Sequence, residues 1–134
     1  MKVQHVPIEW VPYTWPLVEP YIAEALKHAQ GDYTLEHMQV YVSTGQKMLV
    51  VATEDSVIHG AAVIEMFNRP TKRVAYVSAI GGRLISSRDT FQQLKELVAS
   101  FGATAIEGAA RESVARLWRR YGFEEKYRIV GAKL

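Results

Sequence analysis

The sequence predicts one domain over residues 1–134, of the α/β (α+β) class, with a mixed, mostly antiparallel central sheet and helices on both of its faces. A length of 134 residues, with 49% apolar and 22% charged residues, is typical of one globular domain. Three β-rich runs follow one another with only short turns between them, which predicts an antiparallel meander. A helix then precedes a further short strand, which allows a parallel pair with a right-handed crossover. The predicted order is α-α-β-β-β-α-β-α-β.

The first helix is predicted to begin near Thr14, its expected N-cap, after an extended lead-in over residues 1–13. Pro16 and Pro20 are expected near its start, where a missing amide hydrogen does no harm. Gly31 is the expected C-cap. The apolar residues share one helical stripe at i, i+3, i+4, i+7, i+8 and i+11: Val18, Tyr21, Ile22, Ala25, Leu26 and Ala29.

A second helix and the three-stranded meander follow. The helix is predicted from Thr34 to Gly45, and residues 47–53 form the first apolar, β-branched strand. After a turn, residues 57–67 form the second strand. Residues 68–71 contain a proline that stops ladder pairing, so they form a hairpin connection. Residues 72–80 form the third strand, which ends at a pair of glycines.

The rest of the chain predicts two helices and two strands. A helix ending at Gly102 carries its stripe on Phe91, Leu94, Leu97, Val98 and Phe101. Its start is set either by a capping box of Asp89 and Gln92 or by Ser86 or Ser87. Residues 103–108 form a short strand. The last helix has its stripe on Val114, Leu117, Trp118 and Tyr121 and closes at Gly122, and residues 123–134 contain a final strand.

Composition excludes several classes of function. The absence of cysteine excludes disulfides, thiol catalysis and cysteine-based zinc sites. His5, His28 and His37 lack metal-ligand spacing, so no metal is expected. A net charge of +2 gives little reason to expect nucleic-acid binding, although the C-terminal part is basic. No signal peptide or membrane span is recognisable, and the expected location is the cytoplasm.

The stretch ARLWRRYGFEE, Ala115 to Glu125, carries a resemblance to a known family. Together with the element order, it resembles the GNAT superfamily of N-acyltransferases, in which the last helix runs into a Gly-Phe pair and a strand. The resemblance covers the chain from about Pro16. The small size, the early helical pair and the Gly81-Gly82 pair are similar to small GNAT-like proteins of bacteriophages. A phage protein would lie in the host cytoplasm or in the virion.

The resemblance implies that acyl-CoA binds along the third strand and the loop after it. Its pantetheine arm would contact main-chain groups of Val77, Ser78, Ala79 and Ile80. Its phosphates would contact Gly81, Gly82, Arg83, Ser86, Ser87 and Arg88. The family's phosphate loop is glycine-rich, whereas Ser86 and Arg88 stand here at the glycine positions, so the loop is degenerate. Hydroxyl and guanidinium groups are able to bind phosphate in place of amides. The competing interpretation is a strand end, a two-glycine turn and a capped helix.

Catalytic candidates are few. Glu65 interrupts an apolar strand face, so it is either a buried general base with a raised pKa or a glutamate paired with Arg73 or Lys72 across the hairpin. The family's acidic tyrosine aligns with Trp118, which cannot act as an acid. Tyr121 is therefore the candidate acid, although its position in the stripe also suits the core.

Two further residues and two functions stay open. Glu107, late in its strand, and His59, early in its strand, are secondary candidates for the base. One function is acyl transfer from acyl-CoA to an amine of a small molecule or protein. The alternative is a GNAT-fold protein that has lost catalysis and serves in a virion or binds a host protein through the basic last helix or an exposed strand edge.

Overall fold

The computed structural model describes residues 1–84 and 87–134. Its central feature is a five-stranded sheet in the order β1-β2-β3-β4-β5. The strands are β1 (Lys2–Val6), β2 (Met48–Glu54), β3 (Val57–Arg69), β4 (Lys72–Gly82) and β5 (Ala105–Gly108). Strands β1 to β4 are antiparallel, and β5 is parallel to β4. The predicted meander, the parallel pair and the mixed, mostly antiparallel sheet are thereby confirmed.

In the described part of the chain, four helices cover the two faces of this sheet, as the sequence predicts. They are α1 (Val11–Leu26), α2 (Leu35–Thr44), α3 (Arg88–Ser100) and α4 (Glu112–Arg119), and a short 3-10 turn at Ile8–Trp10 precedes α1. Helices α1 and α2 close one apolar core. Helices α3 and α4 close the other, which includes Leu94 and Trp118. Two faces, each covered by its own helices, give this short chain two separate cores.

The N-terminal segment differs from its prediction. The extended lead-in contains a strand, β1, which pairs with β2 and buries Val3 and Val6. Helix α1 begins at Val11 rather than Thr14, whose hydroxyl donates to the carbonyl of Trp10 at 2.9 Å. The helix also ends at Leu26, well before Gly31.

The prolines of α1 lie inside the helix and not only at its start. Pro12, Pro16 and Pro20 are spaced four residues apart and are all exposed, so they share the solvent-facing side of α1. Pro16 and Pro20 each remove one helical hydrogen bond, and the carbonyl that each leaves free lies on the side facing water, whereas Pro12, in the first turn, removes none. The buried side carries Trp15, Val18 and Ile22, and its packing maintains the helix despite those losses.

Several predicted caps are confirmed. The Thr34 hydroxyl accepts from the amide of His37, whose ring accepts from the Thr34 amide, and Gly45 ends α2 with φ at +80°. In α3 the cap is Ser87, whose hydroxyl accepts from the amide of Thr90 at 3.1 Å. Of the alternatives open for α3, Ser87 is therefore correct and the box of Asp89 and Gln92 is not, while Ser86 lies outside the described residues.

The predicted final strand is absent. Within the described part of the chain, residues 123–134 form no helix or strand, and Tyr127, Ile129 and Val130 are exposed. A β-rich pattern becomes a strand only when its main-chain groups find a partner. The free edge of β5 is only four residues long, and the tail does not pair with it.

Gly82 provides a test of how tightly the end of β4 packs. Its φ is +69°, and a Cβ there would lie 2.4 Å from the His59 carbonyl oxygen and 2.7 Å from the Cα of Gly60. We expect Gly82→Ala to lower the free energy of unfolding by about 2–4 kcal/mol in urea titrations. Gly31→Ala is the control, because φ is +79° there but nothing lies within 4 Å. Its cost should be only about 1 kcal/mol, and equal losses would contradict this account.

Candidate active site

Strand β4 contains a bulge at Ser78. Val63 pairs with Ala79 and Ile64 pairs with Val77, so Ser78 is an extra residue without a register partner in β3. Its neighbours face opposite sides of the sheet: Val77 belongs to the core under α3, and Ala79 belongs to the core under α1. In a regular strand these two residues would share a face. The bulge therefore reverses the faces of β4 at this point.

The parallel pairing of β4 with β5 stops at the same place. Val77 pairs with Gly108, the last residue of β5, while β4 continues to Gly82. Among the described residues of β4, Ser78 is therefore the one that has no register partner in either neighbouring strand. From Ser78 onward, the side of β4 that faces β5 has no paired strand. This gap corresponds to the position where the sequence predicts that acyl-CoA lies along Val77 to Ile80.

A polar cluster surrounds Ser78 on the sheet face that α1 and α2 cover. The Lys47 ammonium group donates to the Ser78 hydroxyl at 2.8 Å and lies 3.8 Å from a Glu65 carboxylate oxygen. The same ammonium lies 4.3 Å from the ring centre of Tyr33 and 5.0 Å from that of Tyr41. An open cavity of about 460 Å³ is lined by Tyr33, Tyr41, Gln46, Lys47 and Glu65. We call these five residues and Ser78 the Lys47 cluster.

Burial sets the electrostatics of this cluster. Lys47 is only 6% exposed, and burial lowers the pKa of its amine, while the charges of Glu65 and Tyr41 act in the opposite direction. Burial and the charge of Glu65 raise the pKa of the Tyr33 hydroxyl, and a hydrogen bond with Ser78 opposes this change. The ammonium form of Lys47 is thus destabilised by desolvation, and the ring faces and the carboxylate compensate for part of that loss.

Glu65 fits neither environment expected for it. Its side chain is 42% exposed and is paired with Lys47, so it is not a buried, unpaired carboxylate. Arg73 bonds instead to Asn68, and Lys72 to Glu107, so the expected pairing across the hairpin is also wrong. Glu65 nevertheless lines the open cavity together with Lys47.

The secondary candidates for the base lie outside this cluster. The Glu107 carboxylate pairs with Arg69 and Lys72, and the hydrogen bond from Arg69 lowers its pKa. Such a carboxylate is a weak base. His59 is within β3, and its carbonyl accepts from the Arg83 amide at 2.8 Å.

The candidate acid, Tyr121, lies on the opposite face of the sheet from Glu65. Its ring stacks on Phe91 with centroids 5.4 Å apart, and Phe123 and Trp118 continue this aromatic cluster. Trp118 is buried, as expected for a core residue, and its ring lies against Gly108 at the end of β5. The contacts of the described residues therefore do not bring Tyr121 together with Glu65.

The glycines at the end of β4 are explained by packing. A Cβ on Gly81 would lie 2.5 Å from the Tyr21 carbonyl oxygen in α1, and one on Gly82 would collide with β3. Close approach of the chain's own backbone therefore requires both glycines. Their presence is not in itself a mark of a ligand site.

The start of α3 supplies the remaining candidates for phosphate contacts. The Ser87 hydroxyl is engaged as the N-cap, and Arg88 is exposed at the first position of the helix. Arg83 is exposed in the turn after β4. Asp89 accepts from Gln93 at 2.9 Å. Ser86 lies outside the described residues, so its role stays a prediction.

Sequence reasoning missed Lys47, Tyr33 and Tyr41. Lys47 precedes the apolar strand β2 directly, and it is two and four residues before Leu49 and Val51, which face the core under α1. That spacing places Lys47 on the same buried face, and a lysine on a buried face is an unusual feature. Tyr41 carried no comparable signal, because helical spacing places aromatic residues in a core as readily as in a site, and Tyr33 precedes α2, outside any periodic pattern.

Within residues 1–84 and 87–134, no group of three or more His, Asp or Glu residues is arranged to hold a metal ion. None of the helices in that part of the chain combines the length and apolar character needed to cross a membrane.

Comparison with solved structures identifies the fold. A probable acetyltransferase superposes with a TM-score of 0.70 at 14% identity, covering 100% of this chain and 97% of that chain. An aminoglycoside acetyltransferase from an uncultured soil metagenomic sample, in complex with sisomicin, gives 0.72 at 12% identity, covering 99% and 94%. A second one from such a sample gives 0.70 at 17% identity, covering 99% and 97%. The chain therefore has the GNAT-like fold of these acetyltransferases.

At the level of sequence the comparisons give no match. No family model matches the chain, and neither does any curated protein. The fold is thus established by the course of the backbone.

The ion pairs of Glu107 predict a pH dependence of stability. Because its pKa is lowered in the folded state from 4.5, its contribution is complete above about pH 4.5 and is lost as the pH falls through the lower folded value. We expect Glu107→Gln to reduce the fall in melting temperature between about pH 7 and pH 3.5. Arg69→Gln, which removes the partner, should reduce it as well. If both variants show the same fall as the unmodified chain, the ion pairs do not contribute.

Proposed function

We propose that this chain is an N-acyltransferase that transfers an acyl group from acyl-CoA to an amine on a small molecule or protein. The observation that carries the proposal is the simultaneous loss of both strand partners at Ser78, midway along β4. A bulge beside the end of a parallel ladder leaves main-chain groups able to bind an extended ligand. The fold shared with solved acetyltransferases supports the same reaction.

The acyl donor would lie along β4 beyond Val77. Its extended pantetheine arm suits the main-chain groups from Val77 to Ile80, of which β5 reaches only Val77. Its phosphates would lie near the start of α3, where Ser87 and Arg88 are placed and where the helix dipole favours an anion. Catalysis would then come mainly from orienting the thioester beside the amine and from amide donors at its carbonyl oxygen.

The acceptor would enter the cavity of the Lys47 cluster. Glu65 would take the proton of the attacking amine through a water molecule. Because Tyr121 is on the other face, the leaving thiolate would take its proton from solvent. The cavity lining contains one carboxylate, Glu65, and one buried amine, Lys47. Such a lining would suit an acceptor with a single amine next to an aromatic or aliphatic group better than a polycationic aminoglycoside.

A second function is favoured by a different observation. Tyr127, Ile129 and Val130 are between 68% and 91% exposed in a tail that follows the basic helix α4. Exposed apolar side chains in a segment outside helices and strands suit β-addition to a partner protein. In that case the chain would be a non-catalytic binder, for example of a host protein, or a virion component of a phage.

The enzyme proposal predicts stabilisation by acetyl-CoA. At about 100 times its Kd the ligand should add about 2.7 kcal/mol, a rise in melting temperature of roughly 10 °C. Arg88→Glu should reduce this rise, because it places a negative charge at the proposed phosphate site. The control is Lys27→Glu, a charge reversal on an exposed lysine after α1, and it should leave the rise in melting temperature unchanged. No rise at millimolar acetyl-CoA would exclude the enzyme and leave the binder.

Turnover provides a separate check on Glu65. With a panel of primary amines and acetyl-CoA, Glu65→Gln should lower kcat by about 10²–10⁴-fold, the usual contribution of a general base. The rise in melting temperature with acetyl-CoA should remain, since Glu65 lies away from the phosphate site. An unchanged kcat would remove Glu65 from the proposed mechanism.

A further inference from the structure

The Lys47 cluster has an arrangement that direct transfer to an amine does not require. In it, the Ser78 hydroxyl accepts a hydrogen bond from the buried Lys47 ammonium, and a Glu65 carboxylate oxygen lies 3.8 Å from the same ammonium. A nucleophile, a base within hydrogen-bonding distance and a third group that orients the base together form the usual pattern of nucleophilic catalysis. Serine with lysine as the base is a known variant of that pattern.

We propose that Ser78 is an acyl-accepting nucleophile, with Lys47 as its base, and that the acyl group passes through an ester on Ser78. Neutral Lys47 takes the proton of the Ser78 hydroxyl while the oxygen bonds to the acyl carbon. The bond from that carbon to the leaving sulfur or oxygen breaks, and the leaving group departs as an anion. An amine or water then attacks the ester and loses its proton through Glu65 to solvent, and the Lys47 ammonium returns a proton to the serine oxygen. The proton released to solvent balances the anion that left in the first step.

The position of Ser78 supports this role. It is the extra residue of the bulge and the first residue of β4 beyond its ladder with β5. Its hydroxyl is therefore beside the stretch of β4 that is open to an extended acyl donor. A serine inside a regular ladder would have neither property. Bulges commonly turn a side chain towards an active site in this way.

The surroundings of Lys47 support its role as the base. Its amine is buried, which favours the neutral form that a base requires, and burial lowers its pKa. The charged and titratable groups facing it are Glu65 from β3, Tyr41 from α2 and Tyr33 from the segment before α2. Glu65 favours the ammonium form, and that same charge would stabilise the ammonium that forms as the serine loses its proton.

The inference rests on the proposed function only in assigning acyl chemistry to this site, so the test uses two donors. The purified chain is incubated with p-nitrophenyl acetate and, separately, with acetyl-CoA, and then quenched in acid. Intact mass and peptide mapping locate any acetyl group, and hydroxylamine separates an ester, which it cleaves, from an amide, which it leaves. We expect one hydroxylamine-sensitive acetyl group on Ser78.

Four variants make the test specific. Ser78→Ala and Lys47→Met should both abolish the adduct; methionine fills the lysine volume without a buried charge, which proteins commonly tolerate. Ser78→Cys should restore it as a thioester. Ser43→Ala, on the exposed side of α2, should label as the unmodified chain does. Melting curves confirm that each variant is folded.

The pH profile tests the base. Glu65 raises the pKa of Lys47, so Glu65→Gln should move the midpoint of the rise in labelling rate to lower pH. A midpoint that stays where it is in the unmodified chain would contradict Lys47 as the base.

The outcomes separate this inference from the proposed function. Labelling of Ser78 by p-nitrophenyl acetate alone would support the nucleophile while counting against acyl-CoA as donor. Turnover or thermal stabilisation with acetyl-CoA but no adduct from either donor would support direct transfer and overturn the nucleophile. A hydroxylamine-resistant adduct on Lys47, or an adduct that persists in Ser78→Ala, would also overturn it.

Discussion

The extra residue in β4 is the constraint on which the rest of the site depends. A strand that forms a regular ladder on both sides leaves no main-chain group for a ligand, since each amide and carbonyl is already bonded. At Ser78 the ladder of β4 with β3 is interrupted for one residue and its ladder with β5 has ended, and the two faces of β4 are exchanged there. Val77 consequently packs under α3, and Ala79 packs under α1. A single insertion thus moves the side chains of β4 from one core to the other and places a hydroxyl beside Lys47, on the face that α1 and α2 cover.

Burying Lys47 next to this bulge costs free energy, and its contacts offset only part of that cost. Removing an ammonium group from water costs several kcal/mol, and a carboxylate 3.8 Å away in a half-exposed position returns only part of this. Two tyrosine faces and one serine hydroxyl supply the remaining contacts. A methionine would fill the same space without that cost. A charge kept in such a place is the kind of local conflict with stability that is expected at a functional site.

The end of β4 shows how a motif is able to mislead. Two consecutive glycines after a strand suggest a phosphate loop, yet here the carbonyl of Tyr21 and the backbone of β3 occupy the space where side chains would be. The sequence does not distinguish a glycine that makes room for a ligand from a glycine that makes room for another part of the chain. Only the neighbours across the sheet distinguish the two cases.

The sequence by itself determined the elements whose signals are local: the caps at Thr34 and Gly45, the hairpins of the meander, the parallel strand after α3, and the burial of Trp118. Their causes lie within a few residues, in hydrogen bonds to nearby amides and in apolar periodicity. The tertiary structure alone decided that residues 2–6 pair as a strand whereas the tail does not, and that Lys47, from the start of β2, meets Ser78 and Glu65. Pairing register and contacts between distant residues depend on which surfaces meet, and no single segment carries that information.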